Sequence, residues 1–344
     1  SDTEIIVHLI AISLYSTVVD RLIDALRQVE GAYSLVAMTQ KKLIGVRDPR
    51  GVRPLVLGKL DNAYILASET CALDIIDAEF VRDIEPGEIV VIDSDGIQSI
   101  KPFAKLSDRF CVFEYIYFAR PDSMMEGKNV YEVRKRIGAE LAKEKHVPAD
   151  LVVPVPDSGV PAAIGYAEES KIPFDLGIIR NHYTGRTFIE PSAEIRNLGV
   201  RLKHNANSAY LAGKRVVLVD DSIVRGTTSK KIVSMVRAVG AAEVHMRISS
   251  PPISDSCYYG IDTPTKDELL ASKYTIEEMA ELIGVDTLAY ITPDGLYKAV
   301  CGEARIQDEP QFCDACFTSA YPIPITDHDD GLNPSQLSLL AEVD

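Results

Sequence analysis

The sequence has no run approaching the roughly 18 consecutive apolar residues that a membrane-spanning helix requires. Its opening residues, SDTEIIVHLI, carry neither the basic flank nor the small-residue cleavage site of a secretory signal. Neither a membrane partner nor export is expected. A cluster of lysines or arginines is also missing, and 36 basic against 51 acidic residues leave a formal charge of −15. Nucleic acid needs a basic footprint, so it is excluded as a partner, and an anionic small molecule needs a locally positive site. Cysteines number only six in 344 residues, too few and too scattered for a secreted disulfide scaffold. A reducing cytoplasm suits them. There is no internal repeat and no low-complexity tract. The rest is ordinary globular composition, 46% hydrophobic and 25% charged, in a chain long enough for two domains and a small appendage.

What is present falls into two rhythms. Over the first hundred residues, short apolar runs alternate with turn signals: AYSLVAM, KLIGVRD, PLVLG, AYILAS and EIVVIDSDG, the last with an Asp-Gly pair. That spacing predicts antiparallel strands. Two helices precede them, one over about 3–12 and one over about 18–29 with Val19, Leu22, Ile23 and Leu26 at helical spacing. A turn-rich stretch near 100–108 closes this α+β part. Beyond it, strands alternate with helices as in parallel α/β units. DLVVPVP leads through Asp157, Ser158 and Gly159 into PAAIGYAEES; VVLVD leads into TTSKKIVSMVRAVG, stopped at Gly240; VHMRIS follows. Three parallel strands are implied. Two short helices come next, the second with Thr275 and Glu278 at capping-box spacing, then a cysteine-containing tail and an acidic terminus expected to fray.

The stretch from Val216 to Ser229, VVLVDDSIVRGTTS, concentrates the chemistry. Ligands bind open parallel sheets at the carboxyl ends of strands, which is where Asp220 and Asp221 fall. SIVRGTTS then supplies hydroxyls, a permissive Gly226 and successive backbone N–H groups at a helix N-terminus, a combination that holds phosphate. Arg225 supplies positive charge. Two adjacent carboxylates repel unless neutralised, and a hydroxylated ligand with Mg2+ neutralises them. From the residues alone, the alternative is a polar turn with hydroxyl caps and solvated aspartates. A Walker loop is excluded because its lysine is missing.

The same stretch resembles the phosphoribosyl pyrophosphate signature of type I phosphoribosyltransferases. The resemblance implies that Asp220 and Asp221 meet the ribose hydroxyls and Mg2+, and that Ser222, Arg225, Gly226, Thr227, Thr228 and Ser229 surround the 5′-phosphate. VPVPDSG resembles the pyrophosphate-side loop, with Asp157, Ser158 and Gly159 as its candidates. Three further stretches, EYIYFARPDS (Glu114 to Ser123), RNHYTGRTFIEPS (Arg180 to Ser192) and YYGIDTP (Tyr258 to Pro264), are similar to the glutamine phosphoribosylpyrophosphate amidotransferase family. RDPRGVRPL (Arg47 to Leu55) and ASET (Ala67 to Thr70) are similar to the glutaminase half of that family.

This resemblance runs along nearly the whole chain, in order. It implies the C-terminal portion of an N-terminal-nucleophile glutaminase domain over 1–102, a type I phosphoribosyltransferase domain with a parallel sheet over 103–300, and a cluster-binding extension and tail over 301–344. It further implies two coupled reactions of purine synthesis: glutamine is hydrolysed, and the ammonia displaces pyrophosphate from C1 of the ribose to give 5-phosphoribosylamine. Arg180 and Arg186 lie in the stretch similar to the family's mobile lid, whose closure excludes competing water; read on their own they are equally well solvated surface charges. A homo-oligomer is implied as well.

The family's glutaminase nucleophile is an N-terminal cysteine activated by its own α-amine. SDTEI instead resembles a mid-domain segment, with Asp2 against the glutamine α-ammonium and Ser1 no substitute nucleophile; on its own it is also an ordinary helix start. The expectation is that these 344 residues lack the first part of the glutaminase domain and do not hydrolyse glutamine, while transfer from ammonia survives.

CDAC, from Cys313 to Cys316, has metal-ligand spacing, but two thiolates cannot close a tetrahedral site. The resemblance adds Cys111 and Cys257, completing with Cys313 and Cys316 the four ligands of the family's iron-sulfur branch and implying a structural [4Fe-4S] cluster. By residue type zinc suits four thiolates equally, and buried unligated thiols are the plainer alternative. Cys71 and Cys301 are read as buried or incidental. Two other functions stay open, since fold alone does not decide between them: a regulatory protein that binds phosphoribosyl pyrophosphate without catalysis, and a nucleobase phosphoribosyltransferase, which leaves the first domain unexplained.

Overall fold

The structure, a computed structural model, describes residues 2–181 and 204–325. Two helices open it, Asp2–Ile12 and Val18–Leu26, and the Thr17 hydroxyl caps the second by accepting from the Asp20 amide at 3.1 Å. An antiparallel sheet follows, in the order Ser34–Met38, Leu43–Arg47, Ile89–Asp93, Gly96–Ile100. Alternation along each strand decides which face a residue serves. Ile44, Val46, Ile89 and Val91 cluster with Leu22 and Leu26 of the second helix. Val90 and Ile92 turn the other way, toward Leu55 and toward Leu57 and Leu66 of a second antiparallel sheet, Ala63–Ala67, Val56–Leu60 and Glu79–Asp83. The antiparallel character matches the sequence reading, which missed Glu79–Asp83, Gly96–Ile100 and the short helix Thr70–Asp74.

The second part is built on a parallel sheet in the order Leu151–Pro154, Arg215–Asp220, Glu243–Ile248, Thr287–Tyr290. On one face Val152, Val217 and Val219 join Val133, Ile137 and Leu141 of the helix Val130–Glu144 and Tyr166 of the helix Val160–Ser170. On the other, Val153, Val216 and Leu218 join Ile232 and Val236 of Thr227–Ala238 and Met279 and Ile283 of Ile276–Ile283. Coverage on both faces is why these strands read as continuous apolar runs. Each fully buried aliphatic side chain contributes roughly 1.5–3 kcal/mol relative to exposure, so the sheet is a rigid base for the loops at its carboxyl edge.

The three expected parallel strands are present, and Thr287–Tyr290 adds a fourth. The capping box is present too: Thr275 N–H donates to Glu278 Oε2 at 2.8 Å, and Glu278 N–H to Thr275 Oγ1 at 3.2 Å. Where the preceding short helix was expected there are two 3-10 turns, Lys266–Glu268 and Leu270–Ser272. Helices Val130–Glu144 and Pro293–Cys301 were not anticipated. The tail returns to the start of this part, because Phe312–Cys313 pairs in parallel with Phe110–Cys111. Among the described residues no helix is long and apolar enough to cross a membrane.

Candidate functional site

The strand Arg215–Asp220 delivers Asp220 to the carboxyl edge of the parallel sheet, and Asp221 follows; they are only 6% and 7% exposed. Asp220 Oδ1 accepts from the Asp221 amide at 2.9 Å, and Asp221 Oδ2 accepts from Ser222 Oγ at 2.6 Å. Burial, and then the charge of Asp221, push the Asp220 carboxyl well above its usual range. A pair held this way is stabilised by a cation or a hydroxyl-rich ligand. Gly226 turns the chain with φ 72° into the helix Thr227–Ala238, and no side chain caps that helix. The left-handed turn suits glycine, and a Cβ there would meet Leu270 Cδ2 at 2.8 Å. Uncapped first-turn amides at the positive end of a helix are suited to an anion. Around them Thr227 and Thr228 are exposed, Ser222 is half-buried and Ser229 is buried. Arg225 Nη2 pairs with Glu268 at 2.9 Å, so the loop's one cation is shared with a neighbouring carboxylate, which the sequence reading did not anticipate.

The adjacent strand Leu151–Pro154 runs into Val155 to Gly159. A Cβ on Gly159 would lie 2.4 Å from Val219 O and 2.9 Å from Val155 O. Glycine is required there because this loop is pressed against the strand that carries the acidic pair. Asp157 is exposed, Ser158 is half-buried, and Asp157 pairs with Arg180 at the end of the strand Ile178–Arg180. Asp157 to Gly159, Arg180 and Asp220 to Ser229 thus share one edge of the sheet. Arg186 lies outside the described residues. Asp2 begins the helix Asp2–Ile12.

The four cysteines singled out by resemblance also converge. Cys111 and Cys313 are register partners in the two-residue parallel ladder. Cys316 lies on the short helix Ala315–Thr318, and its carbonyl accepts from the Ser254 and Asp255 amides at 3.1 and 3.2 Å. Just beyond, Cys257 Sγ accepts from the Tyr259 amide at 3.3 Å. All four are free thiols, and each of the other three acts electrostatically on Cys316. Burial, with the neighbouring thiols adding to it, raises Cys111 and Cys316 well above the usual thiol range, and burial pushes Cys313 up to about 12. Asp314, 1% exposed within CDAC, accepts from Tyr297 Oη at 3.0 Å, Arg305 Nε at 2.5 Å and Thr318 Oγ1 at 3.0 Å. Among the described residues, no three or more His, Cys, Asp or Glu side chains are arranged to hold a single metal ion. Of the remaining cysteines, Cys71 is buried and Cys301 donates its S–H to Tyr297 O at 3.2 Å.

One buried residue near the acidic pair escaped the sequence reading. Arg134, 4% exposed on the helix Val130–Glu144, carries a charge that acts on Asp221. The available signal was its position: it continues the apolar stripe of Val130, Val133, Ile137 and Leu141, where a solvated arginine has no place.

A parallel sheet ending in an acidic pair, a left-handed glycine and an uncapped helix start defines a type I phosphoribosyltransferase domain, here following a glutamine amidotransferase domain. Residues 126–249 match the family model described as a phosphoribosyl transferase domain, and residues 1–74 match the glutamine amidotransferase domain. The chain is 58% identical to the amidophosphoribosyltransferase of Rhizobium etli over 347 aligned residues, covering 99% of this chain and 70% of that protein. It is 52% identical to the chloroplastic amidophosphoribosyltransferase 1 of Arabidopsis thaliana, covering 95% of this chain and 57% of that one. A solved glutamine phosphoribosylpyrophosphate amidotransferase from B. subtilis, complexed with ADP and GMP, matches with a TM-score of 0.89 at 48% identity, over 95% of this chain and 72% of that one. The chain belongs to the amidophosphoribosyltransferase family.

Proposed function

We propose that the chain carries out the amidophosphoribosyltransferase reaction of purine synthesis, in which ammonia displaces pyrophosphate from C1 of phosphoribosyl pyrophosphate and leaves 5-phosphoribosylamine. The observation that carries this reading is the buried Asp220 and Asp221 pair beside the Gly226 turn, at the edge of a parallel sheet. Asp220 and Asp221 hold the ribose hydroxyls and, with the substrate, Mg2+. Ser222 and the segment Arg225 to Ser229 hold the 5′-phosphate through hydroxyls and first-turn amides. Asp157, Ser158 and Gly159 take the pyrophosphate side.

As the C1–O bond to pyrophosphate breaks, positive charge grows on the ribose ring and negative charge on the leaving group. Arg180, and Arg186 in the proposed lid, offset the second of these charges. Mg2+, when bound, supplies further neutralisation of the pyrophosphate oxygens. Ammonia adds at C1 with its lone pair and then gives up one proton. Asp2 of the first domain is proposed to meet the α-ammonium of glutamine, these 344 residues being expected to use ammonia and not to hydrolyse glutamine themselves, and the domain limits are taken as 1–102, 103–300 and 301–344.

Cys111, Cys257, Cys313 and Cys316 are proposed to hold a [4Fe-4S] cluster. Thiolates suit iron and zinc alike; what supports one shared site is that Cys111 and Cys313 are register partners and that the charges of Cys111, Cys257 and Cys313 reach Cys316, and iron is taken from the family resemblance. The cluster's role is structural, tying the start of the second domain to its tail.

Incubating the purified chain with phosphoribosyl pyrophosphate, Mg2+ and an ammonium salt should release pyrophosphate only when all three are present. Tight binding of phosphoribosyl pyrophosphate with no pyrophosphate release turns the conclusion to a regulatory binding protein. Release that requires a purine or pyrimidine base in place of ammonia turns it to a nucleobase transferase.

A further inference from the structure

Cys111 is held from two sides, and one of them belongs to the first domain. Toward the tail, Phe110–Cys111 pairs with Phe312–Cys313, and the Val112 amide donates to Cys313 O at 3.1 Å. Toward the first domain, the Arg109 amide donates to Arg50 O at 2.7 Å and the Cys111 amide to Val52 O at 3.0 Å. Val52 is buried in one apolar cluster with Cys111 and Cys313, and Cys257 and Cys316 pack against that cluster. A turn within the glutamine amidotransferase match thus lies directly against the four-cysteine node.

That turn is organised by one fully buried carboxylate, Asp48. Its Oδ1 accepts from the Arg50 amide and its Oδ2 from the Val52 amide, both at 3.0 Å. These are the same two residues whose carbonyls receive Arg109 and Cys111. The Asp48 carbonyl accepts from the Gly51 and Gly87 amides at 2.9 Å, which closes the turn. Arg47 braces it from outside: Nη2 donates to Gly51 O and Nε to Arg53 O, both at 2.9 Å, and the guanidinium stands 5.8 Å from the centre of the Phe110 ring. A buried carboxylate is costly unless hydrogen bonds replace its water. Asparagine has the same shape but a single acceptor oxygen, and would turn an N–H donor toward one of the two amides.

We propose that Asp48 is a positioning residue of the four-cysteine node: its carboxylate fixes the turn whose Arg50 and Val52 carbonyls anchor the backbone of Arg109 to Cys111, so that the first domain, together with the tail, holds Cys111 in place. The inference rests on the reading of Cys111, Cys257, Cys313 and Cys316 as one site. Its consequence is directional. Loosening the turn exposes Cys111 before it exposes anything else in the first domain, whereas a carboxylate that serves only its own domain exposes that domain's interior first.

The test compares the full chain with its Asp48→Asn variant, both purified anaerobically, by the rate at which iodoacetamide alkylates each cysteine and by the rate at which a ferrous chelator removes iron. Cys71 of the first domain is the internal control, since it is 5% exposed and Cys111 is 6% exposed. Asp48→Asn should speed alkylation of Cys111 about tenfold while Cys71 stays within about twofold of the parent, and iron should leave faster in step with Cys111. A parent-like rate at Cys111, or an equal rise at Cys71 and Cys111, overturns the proposal. Should Asp48→Asn fail to fold, amide hydrogen exchange in the parent decides: Arg109 and Cys111 exchanging as slowly as Arg50 and Val52 supports the anchor, and fast exchange at Arg109 and Cys111 beside slow exchange at Arg50 and Val52 overturns it. A parent chain without iron overturns the cluster reading, and the alkylation ratio still decides the role of Asp48; an iron-loaded parent with an unaffected Asp48→Asn variant overturns only the inference.

Discussion

The phosphoribosyl loop and the four-cysteine node are assembled in opposite ways. Asp220 to Ser229 form one uninterrupted run, a strand end, a turn and a helix start, whose local geometry builds half of the proposed site. The node takes Cys111 from the start of the second part, Cys257 from the loop between the parallel strands Glu243–Ile248 and Thr287–Tyr290, and Cys313 and Cys316 from the tail. Only the folded chain brings them together, through a ladder of two residues on each side. The loop should therefore be sensitive in function and tolerant in stability, and the node the reverse.

The largest effect expected is on the loop. Asp220→Asn combined with Asp221→Asn should lower ammonia-dependent pyrophosphate release by at least about a thousandfold, the order seen when preorganised charge is removed from an active site. The melting temperature should hold or rise. Burial and Asp221 both oppose the ionised form of Asp220, so neutral amides relieve a repulsion that the proposed ligand and metal would otherwise offset. Full activity in the double variant would return the stretch to a polar turn, and collapse of the fold would remove the contrast drawn here.

That contrast also explains what could be read from the sequence. The parallel strands, the acidic pair, Gly226 and the Thr275 capping box are short-range patterns, and each appears where the residues predict it. Glu79–Asp83 was hidden because its residues are charged or exposed and show no alternation. Thr287–Tyr290 is four residues long, too short to assert a period. The helix Val130–Glu144 carries Arg134 and Gly138 on its buried face, which blurs the stripe a helix is recognised by. The pairing of Arg225 with Glu268 and that of Asp157 with Arg180 depend on tertiary placement, which no local pattern records. The cysteines were legible only as a resemblance, for spacing alone singled out Cys313 and Cys316, and only the fold shows Cys111 as the register partner of Cys313.

The node gives the next largest effect. Cys111→Ser should reduce iron in the anaerobically purified protein to background, remove the broad visible absorbance of thiolate-ligated iron, and lower the melting temperature by roughly 5 °C. Its residual transfer activity per folded molecule should fall far less than in the double aspartate variant. Retention of full iron by Cys111→Ser removes Cys111 from the ligand set. A colourless parent with stoichiometric zinc removes the cluster altogether.

The smallest effect lies at the rim of the loop, where Arg225 and Glu268 are both about half exposed, at 52% and 53%. An ion pair in that setting contributes about 0–1 kcal/mol, so Glu268→Gln should leave folding untouched. Its value is diagnostic. If Arg225 is the cation that meets the 5′-phosphate, freeing it from Glu268 strengthens the local positive potential, and KM for phosphoribosyl pyrophosphate should fall by up to about threefold at low salt, the gain fading as ionic strength rises. If the pair instead holds the loop in shape through the 3-10 turn Lys266–Glu268, KM rises and salt has little influence. The sign of this small change separates a phosphate ligand from a loop strut, a distinction that the much larger aspartate effect cannot make.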